Sequence, residues 1–470
     1  MSKKPTRKQM LKKLAGDQYL REKLVKIIEN ERDLSKVTQL IDNEIQEQLS
    51  DAEFNYEIKG FLHDVAFHLN EAIKEVIGFS SIMGESNQSG STPPKYLDVS
   101  FSDGTKIKVP YGRIDLPAIS ESSYIEMAYD YSDMTMHVRG VTQKRFLTTM
   151  DNIISLAREK VKTDSIYSGT AFSLGSNNQP EFLSLDNIDK TPLILNQSTL
   201  DMLIPVYARI EKTQELLDKG IDIKLGVLLS GPYGTGKSLL AFKLAKKAVE
   251  NNWTFIYNKD PKNTVKALEI AYMVSDSGSG VLFFTEDIDL ILSGERDTEM
   301  NEFLNLLDSG DNKNRKVISM FTTNHLEKIN PTFLRGKRIG SLIEMGHLDK
   351  EASERFIRTY LKGLIPESED LSKALDMIEE NRIVPAFLAE ICEKTKAIPI
   401  YTGDDTVTES MLIGNIKSYL HQISVLNEAS KKEPPKEVKV MKMLREILTE
   451  DILEQLDDIQ HTVDNIYDNI

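Results

Sequence analysis

Gly231-Pro-Tyr-Gly-Thr-Gly-Lys-Ser238 stands directly behind the apolar run Gly226-Val-Leu-Leu229 and directly ahead of Leu239-Leu-Ala-Phe-Lys-Leu-Ala245. The octapeptide has the form G-x-x-x-x-G-K-[ST], and the context is a strand that turns into a helix. Glycines at these positions let the backbone turn so that successive N–H groups face inward at the positive end of the following helix. That arrangement is a nest for an anion. A lysine beside it reaches the β- and γ-phosphates of a nucleotide as a point charge, and a serine hydroxyl supplies one ligand to Mg²⁺. The stretch therefore predicts a P-loop for a nucleotide polyphosphate with Mg²⁺, and alone it would allow a kinase, a GTPase or a transporter subunit. Gly231, Pro232, Tyr233, Gly234, Thr235, Gly236, Lys237, Ser238 and Leu239 are its nucleotide-contacting candidates, with Ser238 also a metal ligand.

Working outward from this loop, a second apolar run, Val281-Leu-Phe-Phe-Thr285, is followed by Glu286-Asp287-Ile-Asp289. Carboxylates at the C-terminal end of a buried strand face the crevice where open α/β sheets bind ligands. One of the pair must hold the metal and another must polarise the attacking water. An alternative register puts Thr285 at the metal position and makes Glu286 the base, but it breaks the spacing to Asp289. A third run ends in Phe321-Thr-Thr-Asn324, and Asn330-Pro-Thr-Phe-Leu-Arg335-Gly-Lys-Arg338 follows it. Two guanidinium groups three residues apart suit phosphoryl charge in a transition state. On charge alone, an ordinary basic loop is the simpler reading.

The stretches 225–229, 253–257, 281–285, 317–322 and 342–345 read as buried strands separated by helical segments, the pattern of a parallel sheet with crossovers. Residues 350–427 read as helices alone. Before this α/β region, apolar residues from about 6 to 80 fall at helical spacing, with Phe54, Ile58, Phe61, Leu62, Val65, Leu69, Ile73, Val76 and Ile77 on one face of a long helix. His63 and His68 within it have no ligand-like partner pattern and read as structural. Residues 86–94 read as a linker. The period then becomes two: 97–101 and 106–109 flank Ser-Asp-Gly-Thr as a hairpin, and 124–131 and 134–141 look like further strands. A helix from about 142 to 162 and a strand near 166–174 complete a small α+β unit. The expected organisation is a helical region with a basic arm (1–84), the α+β unit (95–175), a large α/β unit (191–347), an all-helical unit (348–427) and an amphipathic helix with an acidic tail (436–470).

Bulk properties narrow the class. The chain has 470 residues, 40% hydrophobic and 28% charged, the balance of a folded globular protein. No run approaches the length of a membrane span and the basic N-terminus lacks an apolar signal region, so a cytoplasmic protein without a membrane partner is expected. The single cysteine, Cys392, cannot close an internal disulfide or a zinc site and reads as a small buried hydrophobe. A net charge of −15 argues against a surface that coats nucleic acid. The charge is uneven, with nine Lys/Arg against two acids in 1–26 and eight acids without Lys or Arg in 446–470.

The P-loop, the strand with Glu286 and Asp287, Thr-Thr-Asn324 and Leu-Arg335-Gly-Lys-Arg338, in this order and at these intervals, resemble the AAA+ ATPases, specifically the AAA clade proper. The resemblance covers about 191–427, roughly half the chain. It implies that Glu286 is the metal-side carboxylate, that Asp287 is the catalytic one and that Asn324 is the sensor-1 residue orienting the lytic water. It also makes Arg335 and Arg338 the arginine fingers serving a neighbouring subunit, which reverses the simpler reading of the basic loop. A homo-oligomeric ring, a hexamer by resemblance, follows from trans-acting fingers. Family members usually end this strand Asp-Glu; the swapped pair here shortens the catalytic carboxylate by about 1.5 Å, one C–C bond. The swap, with Trp253-Thr-Phe-Ile-Tyr257, looks most like uncharacterised AAA ATPases of bacteriophages and bacteria. Protein-threading relatives carry an aromatic paddle after the second strand, whereas this chain has Asn258-Lys-Asp-Pro-Lys-Asn263, leaving only Tyr257 as a candidate. Arg382 is the only arginine that 382–390 offers for sensor 2. The function implied is ATP-driven remodelling of a protein client. A nucleic-acid motor or loader using the basic arm and Lys259 and Lys262, and a slow nucleotide-gated scaffold, are the alternatives.

Overall fold

The computed structural model describes residues 18–30, 33–78, 86–87, 90–91, 95–175, 177–292, 298–308, 315–334 and 338–431. They fall into two compact units that divide after residue 346. The first opens with helices α1 (Gln18–Asn30) and α2 (Leu34–Leu49). Asp33 starts α2 by accepting a hydrogen bond from the Ser35 amide at 2.9 Å, satisfying one of the free N–H groups of a helix start. Strand β1 (Asp51–Lys59), helix α3 (Leu62–Ile77), the hairpin β2 (Lys95–Ser100) and β3 (Lys106–Tyr111), strands β4 (Arg113–Asp115), β5 (Tyr124–Asp130) and β6 (Thr135–Gln143), and helix α4 (Leu147–Thr163) follow. The sheet is antiparallel in the order β1-β6-β5-β4. Ile58, Val65, Leu69, Ile73, Val138 and Ile153 form its core with α3 and α4, each at most 1% exposed.

Two expectations are corrected here. Phe54 and Ile58 belong to β1 and not to a long helix; β1 pairs with β6 over nine residues, from Asp51 opposite Gln143 to Lys59 opposite Thr135. Positions four apart lie on one face in both a helix and a strand, so the spacing of Phe54 and Ile58 fits either. Partnering with β6, a tertiary event, decides for the strand. The segment expected to be helical thus shares a core with the α+β segment after it. The helix expected from about 142 starts later, at Leu147, because Thr142 and Gln143 still pair in β6. His68 is structural, as expected: its Nε2 lies 3.0 Å from the Asp164 carbonyl and 3.3 Å from Asp64, tying α3 to the end of α4.

The second sheet contains β7 (Ala171–Leu174), β8 (Pro180–Phe182), then helices α5 (Gln197–Glu211) and α6 (Thr213–Asp218), β9 (Leu225–Ser230), α7 (Lys237–Glu250), β10 (Thr254–Asn258), α8 (Thr264–Ser275), β11 (Val281–Thr285), α9 (Asp289–Leu292), α10 (Thr298–Asp308), β12 (Val317–Thr323) and β13 (Ser341–Glu344). Its order is β8-β7-β10-β11-β12-β9-β13, parallel throughout except for β8. Val227, Leu228, Phe255, Ile256, Phe283, Phe284, Ile318 and Met320 are fully buried, which is why these strands are unbroken apolar runs. Four of the five strands expected by sequence, β10, β11, β12 and β9, lie inside the sheet, and the fifth, β13, is its edge strand beside β9. The strand near 166–174 is corrected: Ala171–Leu174 lies in this sheet, parallel to β10, and not in the α+β sheet. All four of its side chains are buried, so it needs cover on both faces. Successive strands β10, β11 and β12 lie on one side of β9 and β13 on the other, so the sheet's topological switch point lies at β9, at the C-terminal ends of the strands.

The second unit holds α11 (Lys350–Tyr360), α12 (Ser372–Glu380), α13 (Pro385–Thr402) and α14 (Glu409–Lys431), the helical segment expected. Asp349 caps α11 by accepting from the Ala352 amide at 2.8 Å, and Pro385 occupies the first turn of α13, where no N–H is needed. The Glu409 carboxylate accepts from the Lys373 and Ala374 amides, at 2.8 and 3.0 Å, joining the starts of α12 and α14. Helix α14 runs to Lys431, past the end expected at 427. The expected amphipathic helix, the acidic tail and most of the basic arm lie outside the described residues. Among the described residues no helix is long and apolar enough to cross a membrane.

Cys392 packs with Leu388 and Ile391 on the buried side of α13, and burial pushes its thiol up to about 12. The thiolate is the form that attacks thiol reagents, so Cys392 is expected to stay unmodified in the native protein at pH 8 and to react as one equivalent per chain in denaturant. Rapid titration of the native thiol with a chromogenic disulfide would contradict the packing.

Candidate active site

The end of β9 leads into the loop 231–236, and α7 starts at Lys237. Gly236 precedes the helix at φ 92°, a left-handed conformation that L side chains rarely adopt, so the sharp entry into α7 depends on glycine there. The first N–H groups of a helix have no partner four residues back, so the start of α7 presents donors and the positive dipole end to the loop. Thr235 is buried and its hydroxyl donates to the Pro232 carbonyl at 3.0 Å, bracing the loop. Tyr233 is 69% exposed at the rim.

Lys237 folds back over this loop. Its ammonium donates to the Gly231 carbonyl (2.6 Å), the Pro232 carbonyl (2.8 Å) and Asn324 Oδ1 (2.7 Å). Burial holds its pKa below the ordinary lysine range, opposed by Asp287 and Glu286. Ser238, one residue on, donates its hydroxyl to Glu286 Oε1. Glu286 Oε2 accepts from the Tyr257 hydroxyl at 2.8 Å.

Asp287 turns off β11 at φ 49°, and its amide donates to Thr322 Oγ1 at 3.1 Å while Ile288 N donates to the Thr322 carbonyl at 2.9 Å. Asn324 Nδ2 donates to Asp287 Oδ1 at 3.0 Å, so one amide side chain bridges Lys237 and Asp287. Burial raises the Asp287 pKa first, then Asp289 and Glu286 add to the rise, while Lys237 and Asn324 oppose it. Asp289 is itself buried and accepts from Thr323 Oγ1 at 2.7 Å, so it ties the turn after β11 to the end of β12. Thr285 is buried on Asn258, whose Nδ2 donates to its hydroxyl at 3.2 Å. The alternative register, with Thr285 on the metal, therefore lacks the geometry that Glu286 has beside Ser238.

Tyr233, Gly234, Gly236, Lys237, Ser238, Leu239, Glu286, Asp287, Thr322 and Asn324 line one cleft of about 320 Å³ at the switch point. A buried ammonium, a helix start and a hydroxyl next to carboxylate oxygens fit a polyphosphate with a hard divalent cation. Arg338 is not among these lining residues. Its Nε donates to Asp308 Oδ2 at 2.6 Å and its Nη1 to the Thr332 carbonyl at 2.8 Å. Arg335 lies outside the described residues. Arg382 is exposed, in a turn at φ 47° between α12 and α13.

Sequence reasoning missed Thr322 and gave Tyr257 a different part. Tyr257 does not stand out as a paddle: its ring stacks on Phe284 (5.5 Å, 23°) and meets Phe242 edge-on (5.4 Å), and its hydroxyl is engaged by Glu286. Strand alternation could have signalled this, because Tyr257 shares a face with Phe255, and Phe242 packs against both. The following segment is anchored too. Asn258 is buried, Lys259 pairs with Glu181 at 2.8 Å, and Asn263 reaches Asn178 in the turn between β7 and β8.

Residues 227–347 match the family model described as ATPase family associated with various cellular activities (AAA). An AAA-ATPase of Arabidopsis thaliana is 30% identical over 195 residues, 36% of this chain and 39% of the relative. The ATP-dependent zinc metalloprotease FtsH of Mycoplasmopsis synoviae is 26% identical over 247 residues, 47% of this chain and 36% of the relative. The 26S proteasome regulatory subunit 6A of Schizosaccharomyces pombe is 24% identical over 244 residues, 47% of this chain and 53% of the relative. The chain thus spans between about a third and about a half of these relatives' lengths, 36% to 53%. With the parallel sheet, the P-loop cleft and its paired carboxylates already in place, the segment 227–347 of this chain matches an AAA ATPase domain and has the build of a P-loop module.

Proposed function

We propose that this chain is one subunit of a homo-oligomeric ring that couples ATP hydrolysis to the remodelling of a protein client. The observation that carries the reading is the convergence of Lys237, Ser238, Glu286, Asp287 and Asn324 on one cleft behind a P-loop. Lys237 neutralises phosphate charge. Ser238 and Glu286 hold Mg²⁺, which supplies Lewis-acid polarisation of phosphoryl oxygens. Asp287 polarises the attacking water, and Asn324, already bonded to Asp287 and Lys237, orients it. Arg335 and Arg338 act on the nucleotide of the neighbouring subunit.

A protein client is favoured over nucleic acid on two grounds. Two relatives carry the names of a proteasome regulatory subunit and an ATP-dependent metalloprotease. Lys259, one of the two lysines offered for nucleic acid, is paired with Glu181 in its own chain. ATP turnover of the purified chain, with Lys237→Ala protein as baseline, tests the reading. Turnover no faster than the baseline would make the chain a nucleotide-gated scaffold, and stimulation by DNA but not by unfolded or assembled protein would move the client to nucleic acid.

A further inference from the structure

Glu286 is longer by one methylene than the aspartate that usually ends this strand in similar sequences, and a longer carboxylate has one more torsion to restrain. Both of its oxygens are taken: Oε1 by Ser238 and Oε2 by the Tyr257 hydroxyl at 2.8 Å. Tyr257 reaches across from β10, whose pairing with β11 places it beside Phe284, two residues ahead of Glu286. Its ring lies against Phe284 and Phe242, at centroid distances of 5.5 and 5.4 Å, so its hydroxyl has a fixed direction. A phenol hydroxyl facing a carboxylate oxygen donates to it, since the carboxylate offers only acceptors.

We propose that Tyr257 is a positioning residue for the metal-side carboxylate: by holding Glu286 Oε2 it keeps Oε1 beside Ser238, which adapts the site to a glutamate where an aspartate would need no such partner. The inference rests on Ser238 and Glu286 being the pair that holds the divalent cation. Ligating carboxylates are commonly held by such outer hydrogen bonds, and losing one weakens metal binding by 10- to 100-fold.

The test is Mn²⁺ binding to the ADP-loaded chain, followed by electron paramagnetic resonance, which does not depend on turnover. Tyr257→Phe keeps the ring and its packing and removes the hydroxyl. It is expected to weaken Mn²⁺ binding about tenfold, the low end for a residue acting through a ligand. ADP affinity in the presence of a chelator should stay within about twofold, the usual limit for uncoupled sites. In Glu286→Asp protein the shorter carboxylate cannot span from Ser238 to Tyr257, so adding Tyr257→Phe is expected to cost less than about twofold more. Wild-type Mn²⁺ affinity in Tyr257→Phe, or full additivity in the double variant, would overturn the proposal. As a measurement that needs no destabilising change, 3-fluorotyrosine at position 257 should give a ¹⁹F resonance that shifts when Mg²⁺ is added to the ADP complex; an unmoved resonance would also count against it. A wild-type chain that binds ADP but takes up no Mn²⁺ with it would overturn the metal pair itself, a failure distinct from loss of the tyrosine's coupling.

Discussion

Arg338→Ala protein is expected to bind ATP as tightly as the parent and to lose about 10³-fold in turnover, the lower end of what an arginine finger contributes. Gly226 in β9 lies so close to the following segment that an added Cβ would sit 1.9 Å from the Arg338 carbonyl oxygen, and Gly340 N donates to the Gly226 carbonyl at 2.9 Å. The backbone at Arg338 is therefore fixed against a central strand. Its guanidinium is turned to Asp308 at the end of α10 and to the Thr332 carbonyl, and it does not line the chain's own nucleotide cleft. In the proposed ring, its effect on turnover would be exerted on the neighbouring subunit's nucleotide. Mixing Arg338→Ala with Lys237→Ala protein separates the two defects, since one keeps an intact cleft and the other an intact arginine. Partial recovery of turnover in the mixture, with neither variant active alone, is the expected result. Normal turnover by Arg338→Ala would remove the trans assignment.

Asp287→Asn protein is expected to retain ATP and to hydrolyse it 10²- to 10⁴-fold more slowly, about the contribution of a positioned general base. Burial and the neighbouring Asp289 and Glu286 carboxylates raise the Asp287 pKa, making it a better proton acceptor than an exposed aspartate. The substitution is nearly isosteric, and an asparagine oxygen can still accept from Asn324 Nδ2, so the turn held by Thr322 should survive. Nucleotide affinity measured beside single-turnover hydrolysis distinguishes this from misfolding. Equal loss of binding and hydrolysis would place Asp287 in nucleotide binding and leave the base unassigned.

These two residues also show how far local sequence carries an assignment. Glu286 and Asp287 are adjacent in the chain, and either could be metal ligand or base by composition. Their separation arises at the turn after β11: Glu286 meets Ser238 and Tyr257, while Asp287, at φ 49°, swings to Asn324. Arg338 is similar. Its guanidinium type suits phosphate, but its partner Asp308 belongs to α10 and is apparent only once that helix packs beside the loop.

The sequence by itself determined the α/β architecture, five strands of the large sheet, four of them interior, and the glycines, lysine, serine, carboxylates and Asn324 of the nucleotide cleft. Strands buried on both faces must be continuous apolar runs, and a phosphate nest needs glycines and a lysine at fixed spacing whatever surrounds them. Only the tertiary structure decided that Phe54 and Ile58 lie on a strand, that Ala171–Leu174 extends the large sheet, and that Tyr257 turns inward to Glu286. Each of those outcomes depends on a partner strand distant in sequence, β6 for β1 and β10 for β7, or on the neighbouring strand β11 for Tyr257. A side-chain period common to helix and strand cannot specify which partner will be there.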